Sequence, residues 1–400
     1  GVQTCALPIY NKRLENVKKL FEEYVENGHA AGASVAVFKD CKERFYFDTG
    51  YADIERGYDM SHNTIFRCFS MTKPITSVAV LILMERGIID LYSPVSEYLP
   101  EFAAANMKVM DGEEAVPAKR EILVRDLMDM TAGTVYPDLG DEAGRKMALL
   151  YDTISGEQDM GVKPGTMDFI RRIALQPLAF EPGTHWRYGT EADILGAVVE
   201  AASGMRFGDF LQKEIFDPLG MKDTAFYVPE EKKNRFAQIY RVVEPGVFAI
   251  DTEKHLGMEG YDEKPAFESG GAGLVSTVED YGKFAMMLAN GGTYDGVRIL
   301  SPYTVEFMGT NQLDAQCRRD LTWETLRGYG YGNLCRVMDT PQCTGCSVQL
   351  GAFGWDGWTG NYFLIDPVEN MVIMYVIQKC DGTDDKLVRK LLNTVYGALC

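Results

Sequence analysis

Four histidines serve a chain of 400 residues: His29, His62, His185 and His255. None falls in H-E-x-x-H or another ligand pair, which leaves a zinc hydrolase or a Ser-His-Asp triad with little support. No G-x-S-x-G elbow occurs, so an α/β-hydrolase has no foothold. The glycine-rich stretch "ESGGAGLVSTVEDYGKF" lacks G-K-[ST] and is no phosphate cradle. It reads instead as a tight strand and a helix capped by Ser276 or Thr277. Cys343-Thr-Gly-Cys346 has no second pair to complete four zinc ligands and reads as a turn with two thiols. No uncharged apolar run approaches the ~18 residues needed to cross a bilayer. The longest, residues 74–84, ends at Glu85-Arg86. Basic residues are also short: 40 Lys and Arg against 58 Asp and Glu give a formal net charge of −18. With no basic cluster to offset it, nucleic acid and anionic membranes are poor partners.

What is present is a soluble globular composition, 46% hydrophobic and 24% charged, in a chain long enough to bury a core without staples. One large or two intimately packed domains are expected. Nine cysteines, odd in number and scattered, argue against a disulfide framework and for a reducing, cytoplasmic setting. The opening "GVQTCALPI" has neither the basic start nor the apolar run of a signal peptide. Residues 1–9 read as a non-native leader, similar to a translated sequencing adapter.

Apolar residues Leu14, Val17, Leu20, Phe21 and Val25 predict an amphipathic helix over residues 11–27, stopped by Gly28. "AGASVAVFKD" and "RFYFDTGYAD" predict a hairpin around the turn Lys39-Asp40-Cys41-Lys42-Glu43, and "NYFLIDP" with "MVIMYVIQK" a second strand pair. Gly328, Gly330 and Gly332 alternate with tyrosines, as in a strand where backbones pack closely. A helix closes the chain over residues 386–399. The expected fold is α/β of the α+β type: an antiparallel sheet built from both termini, flanked by helices, with a mostly helical inserted lobe. Residues 10–85 and 268–400 would form the sheet lobe and residues 86–267 the helical one. A cleft between the lobes is the expected site. Long loops at residues 103–120, 136–165 and 227–265 would shape its specificity.

"FRCFSMTKPIT" runs directly into the apolar segment "SVAVLILMERGI". Pro74 suits the first turn of a helix, so Ser70 is a first helical or capping residue. Ser70 and Lys73, three apart, then share one face. A free lysine is protonated at neutral pH, but burial and a helix N-terminus both disfavour the cation. A neutral Lys73 would accept the proton of Ser70 and make it a nucleophile, with the Ser70 N–H aimed at the oxyanion. The bland alternative is a capping serine beside a solvated lysine. Tyr188, before the helix "TEADILGAVVEAASG", would titrate with Lys73 as one unit, which leaves open which of the two is the base.

Six segments occur in order: "FRCFSMTKPITSVAVLILMERG", "LYSPVSEYLPEF", "FEPGTHWRYGTEADILGAVVEAASG", "IFDPLGMKDTAF", "GGAGLVSTVEDYGKFAMML" and "FGWDGWTGNYFLIDP". Together they resemble the serine β-lactamase and penicillin-binding-protein-like superfamily, in its class C β-lactamase, D-alanyl-D-alanine peptidase and family VIII carboxylesterase branch. The resemblance implies a covalent acyl-enzyme on Ser70, with Lys73 as general base partner and Tyr188 as the tyrosine of the family's Y-x-N motif. The asparagine of that motif is Thr190 here, which weakens recognition of a substrate amide. The third motif, K-T-G or H-x-G in relatives, reads Trp355-Asp356-Gly357. A lysine there would hold a substrate carboxylate, whereas an indole and the anionic Asp356 would not. W-x-G variants resemble the esterase and acyltransferase members, with the Trp358 N–H as second oxyanion donor and Trp355 shaping an apolar acyl or alcohol site.

The expectation is a serine hydrolase acting on small acyl esters, needing neither cofactor nor metal. A D-amino-acid peptidase or β-lactamase using the same serine is the alternative enzyme, and a silent relative binding a ligand in the cleft is the non-enzymatic one. No segment fixes an oligomeric state.

Overall fold

The computed structural model describes residues 7–244, 247–250, 255–380 and 382–400. The expected leader at residues 1–9 therefore lies largely outside the described residues. Of its remainder, Ile9 bridges Leu399 and the Pro8 carbonyl accepts the Cys400 N–H.

Eight strands build one fully antiparallel sheet. In chain order they are β1 (Gly32–Lys39), β2 (Lys42–Asp53), β3 (Tyr58–Asp59), β4 (Tyr329–Gly332), β5 (Cys335–Met338), β6 (Phe353–Asp356), β7 (Tyr362–Asp366) and β8 (Met371–Val376). Their order across the sheet is β4-β5-β6-β7-β8-β1-β2-β3, so strands from the two ends of the sequence meet at β8 and β1. Ser34 pairs with Val376 and Lys39 with Met371 at that seam. The β1–β2 turn is tighter than the five residues expected. Asp40 and Cys41 alone make it, at φ 54° and 56°, the left-handed pair that a two-residue hairpin requires.

Alternate residues of the central strands serve two cores. Val35, Val37, Tyr362, Leu364, Ile373 and Tyr375 face helix α1 (Asn11–Glu26) and a C-terminal helix (Asp385–Tyr396), through Leu14, Val17, Phe21, Leu391 and Val395. Ala36, Phe38, Phe363, Val372 and Met374 face the other core, which holds α2 (Thr72–Glu85) and α3 (Glu191–Ser203). A further helix, α4 (Val278–Ala289), covers this face, its N-cap Thr277 accepting the Asp280 N–H. α2 is buried from Thr72 to Leu83, and its mostly apolar surface leaves it no solvent face. That places the Ser70–Lys73 segment in the middle of the molecule.

Residues 136–165 differ from the loop expected there. They contain a helix, Glu142–Asp159, capped by the Asp141 carboxylate and anchored through Ala143, Met147, Tyr151 and Ile154. The helical period was present, but charged residues between the anchors masked it. Residues 103–120 likewise hold a short strand pair, Lys108–Asp111 with Glu114–Pro117.

Candidate active site

Backbone clamps bring the serine to the sheet. Strand Phe66–Arg67 pairs with Val275–Ser276, the Gln378 side chain accepts the Arg67 N–H at 3.0 Å, and Asn361 Nδ2 donates to the Arg67 carbonyl at 2.9 Å. Phe69 follows at φ 44°, a left-handed conformation that costs a bulky residue of order 1–3 kcal/mol and marks a constrained site. Ser70 lies in a 3₁₀ turn, Phe69–Met71, that feeds α2 at Thr72. Its hydroxyl caps nothing: no side-chain cap bond is made at the start of that turn or of α2.

Lys73 is fully buried and holds three neighbours: Ser70 Oγ at 3.2 Å, Tyr136 Oη at 3.0 Å and the Gly271 carbonyl at 2.8 Å. Its amine also sits 4.6 Å from the centroid of the Tyr188 ring. Burial drives the lysine pKa down to about 7, against the opposing pull of Asp193, Glu191 and Asp356. Burial moves both phenols the other way. Tyr188 is pushed up despite hydrogen bonding from Ser70 and Trp355, and Tyr136 is pushed well up, with the Asp193 charge adding to the effect. Near neutrality the amine is the group that sheds its proton, while both tyrosines keep theirs.

The third motif lies on β6 and the turn after it. Trp355, expected as an apolar wall, donates its indole N–H to Tyr188 Oη at 3.0 Å. Asp356, expected as an anion at the cleft, is ion-paired with Arg336 of β5. The Arg336 guanidinium also lies 4.9 Å from the Trp355 ring centroid and donates to the Thr325 carbonyl at 3.1 Å. Gly357 is required on steric grounds, because a Cβ there would sit 2.6 Å from the Cys68 carbonyl oxygen. The Gly357–Trp358 peptide is pinned by the Gly360 N–H donating to the Gly357 carbonyl at 2.9 Å. In a trans peptide that turns the Trp358 N–H to the opposite side.

Ser70, Tyr136, Tyr188, Trp355, Asp356, Gly357 and Trp358 all line one cavity of about 580 Å³. Phe69, Leu256, Ala272 and Trp323 add apolar wall, and His255 and Thr325 are among the polar residues that border it. The His255 ring stacks on Trp358 at 4.3 Å and 10°. Residues 227–265 thus reach the cavity through His255 and Leu256, although no sequence pattern had singled that histidine out. Thr190 corrects an expectation. It is fully buried at the cap position of α3, off the cavity wall, and its hydroxyl has no hydrogen-bond partner among the described residues. His185 is half exposed and bonded to Asp320 at 3.1 Å, away from the cavity. Cys343 and Cys346 remain free thiols in and beside a 3₁₀ turn. Tyr136, Arg336 and the Gly271 carbonyl are the members that sequence reasoning missed. Only Tyr136 left a trace, as an aromatic in the polar loop "TAGTVYPDLG".

A serine and a phenol lining one mostly apolar cavity, with a buried amine 3.2 Å from the serine hydroxyl, fit an enzyme of the serine hydrolase type. The sequence profile of the Beta-lactamase family matches residues 17–396, and the chain belongs to that family. Esterase EstB of Burkholderia gladioli is 29% identical over 94% of this chain and 93% of its own. Lovastatin esterase of Penicillium rubens is 28% identical over 94% of this chain and 95% of its own. Among solved structures, Simvastatin Synthase (LovD) from Aspergillus terreus shares the fold with a TM-score of 0.81 at 21% identity, covering 96% of this chain and 98% of that one. No helix among the described residues is long and apolar enough to cross a membrane.

Proposed function

We propose that the protein is a carboxylesterase or acyltransferase that carries small acyl groups on Ser70. Lys73, its pKa brought down to about 7 by burial, accepts in its neutral form the Ser70 proton as Oγ bonds to the ester carbonyl. The amides of Ser70 and Trp358 take the developing oxyanion. Tyr188, its oxygen held by the Trp355 N–H, hands a proton to the departing alkoxide and is reprotonated from the Lys73 ammonium. Water, or an acceptor alcohol, then attacks the acyl-enzyme by the reverse route.

The observation that carries this reading is the 3.2 Å contact between the buried amine and the Ser70 hydroxyl at the floor of an apolar cavity. The Asp356–Arg336 pair supports a neutral ester over a carboxylate-bearing substrate, because the third-motif position offers no free cation. The names of the esterase relatives point the same way.

Purified protein should hydrolyse p-nitrophenyl acetate and butyrate, with kcat/KM rising through about pH 7 as Lys73 loses its proton. Intact-mass measurement should find the acyl increment on the wild type and not on Ser70→Ala. Equal rates for the two proteins would end the proposal.

A further inference from the structure

The glycine-rich stretch that cradles no phosphate lies directly behind the amine. The Lys73 amine donates to the Gly271 carbonyl at 2.8 Å. The same peptide unit carries the Ala272 N–H, which donates to Ser269 Oγ at 3.0 Å. The Ser269 hydroxyl in turn donates to Asp193 Oδ1 at 2.6 Å, and that oxygen also accepts the Gly271 N–H at 2.9 Å. Every member is buried: Ser269 is 1% and Asp193 2% exposed. The glycines permit this approach. A Cβ on Gly270 would sit 2.3 Å from the Ala192 carbonyl oxygen, and one on Gly271 would crowd the Tyr136 hydroxyl and both Asp193 oxygens.

A neutral amine offers two N–H groups and one lone pair, and Lys73 has three polar neighbours. The Gly271 carbonyl can only accept, so it takes one N–H. If Tyr136 accepts the second, the lone pair is left facing the Ser70 hydroxyl. A carboxylate at the far end of the chain polarises each bond in turn and makes the Gly271 oxygen a stronger acceptor.

We propose that Ser269 and Asp193 are positioning residues for the acyl-transfer reaction, acting through the 271–272 peptide to fix one Lys73 N–H and so aim its lone pair at Ser70. This rests on Lys73 being the base. Other charged or titratable groups face the amine from every side: Glu191 from α3, Asp356 from β6, Tyr136 from its loop and Tyr188 ahead of α3. Asp193 itself faces Lys73, Tyr136 and Tyr151.

The test compares wild type, Ser269→Ala, Ser269→Thr and Asp193→Asn by the pH profile of kcat/KM on p-nitrophenyl butyrate. Melting temperature serves as the fold control. Ser269→Ala should lose about tenfold or more in kcat with KM little changed, since orientation of the base is what is lost. Its acid limb should move down by roughly half a pH unit or more, because a weaker acceptor stabilises the lysine cation less. Asp193→Asn should shift the limb in the same direction, and Ser269→Thr, which keeps the hydroxyl, should recover toward wild type. A folded Ser269→Ala with unchanged kinetics, or with a loss that leaves the limb in place, overturns the proposal. If Ser269→Ala fails to fold, Ser269→Cys, which keeps the size and leaves every charge around Lys73 in place but weakens both hydrogen bonds, decides by the same criterion, because Asp193→Asn also moves the limb through its direct charge effect on Lys73. Fluorophosphonate labelling separates the two levels: an unlabelled wild type defeats the hydrolase reading and the relay together. A labelled wild type beside an unperturbed Ser269→Ala defeats the relay alone.

Discussion

Replacing Lys73 by methionine should abolish turnover and, near neutral pH, raise stability. The folded protein holds this amine near a pKa of about 7 where an unburied lysine has 10.5. At ~1.4 kcal/mol per pH unit, that gap costs the fold roughly 4–5 kcal/mol where both states are protonated, at and below about pH 7. Methionine removes the cost and fills a similar volume. It also strips the Gly271 carbonyl of its donor, returning about 1–3 kcal/mol of penalty. The variant should therefore be more stable by about 1–4 kcal/mol at pH 7. The sign of the pH dependence follows from linkage. Between about pH 7 and 10.5 the unfolded wild type binds more protons at this position than the folded one, so wild-type stability rises across that window. Below it both states carry the proton and the cost is complete. The advantage of Lys73→Met should thus shrink steadily toward pH 10. Melting temperatures of the two proteins, measured in parallel at several pH values from neutral upward, give the difference directly. A gap that does not change with pH would refute the reasoning, because it would mean that folding does not shift this proton.

Two further outcomes follow from the third motif. Trp355→Phe keeps the ring and deletes the donor to Tyr188, and should cost about 1–2 kcal/mol in the chemical step, roughly 5–30-fold in single-turnover rate, with little change in substrate binding. Arg336→Met leaves Asp356 as an unpaired anion on the cavity wall. The ratio of kcat/KM for p-nitrophenyl butyrate over p-nitrophenyl hemisuccinate should rise about tenfold, and Asp356→Asn in the same chain should bring it back.

The frame of the fold was legible because its signals are periodic. The 3.6-residue spacing of Leu14, Val17 and Phe21 marked a helix, and the apolar runs of β1, β7 and β8 marked buried strands. Ser70 and Lys73 were legible through an unusual local setting, a polar pair at the mouth of an apolar helix. Tyr136 was not, since a tyrosine in a loop has no period and no fixed offset from the residues it meets. The Gly271 carbonyl is backbone, which sequence does not mark at all. Arg336 carried no local signal, and only the pairing of β5 with β6 sets it beside Asp356 and neutralises the anion expected there. Thr190 failed for a related reason. Its place in the motif fixed its position at the start of α3 but not the direction of its hydroxyl.

The seam at which the first and last strands pair has a consequence for biosynthesis. A ribosome delivers Ser70 and Lys73 well before the cavity wall at residues 355–358 and the strand that locks β1 in register. Until then the amine would have no dry enclosure and would keep its charge, so a nascent chain would hold Ser70 beside a protonated lysine. On the proposed mechanism, reactivity would wait for segments made after the serine.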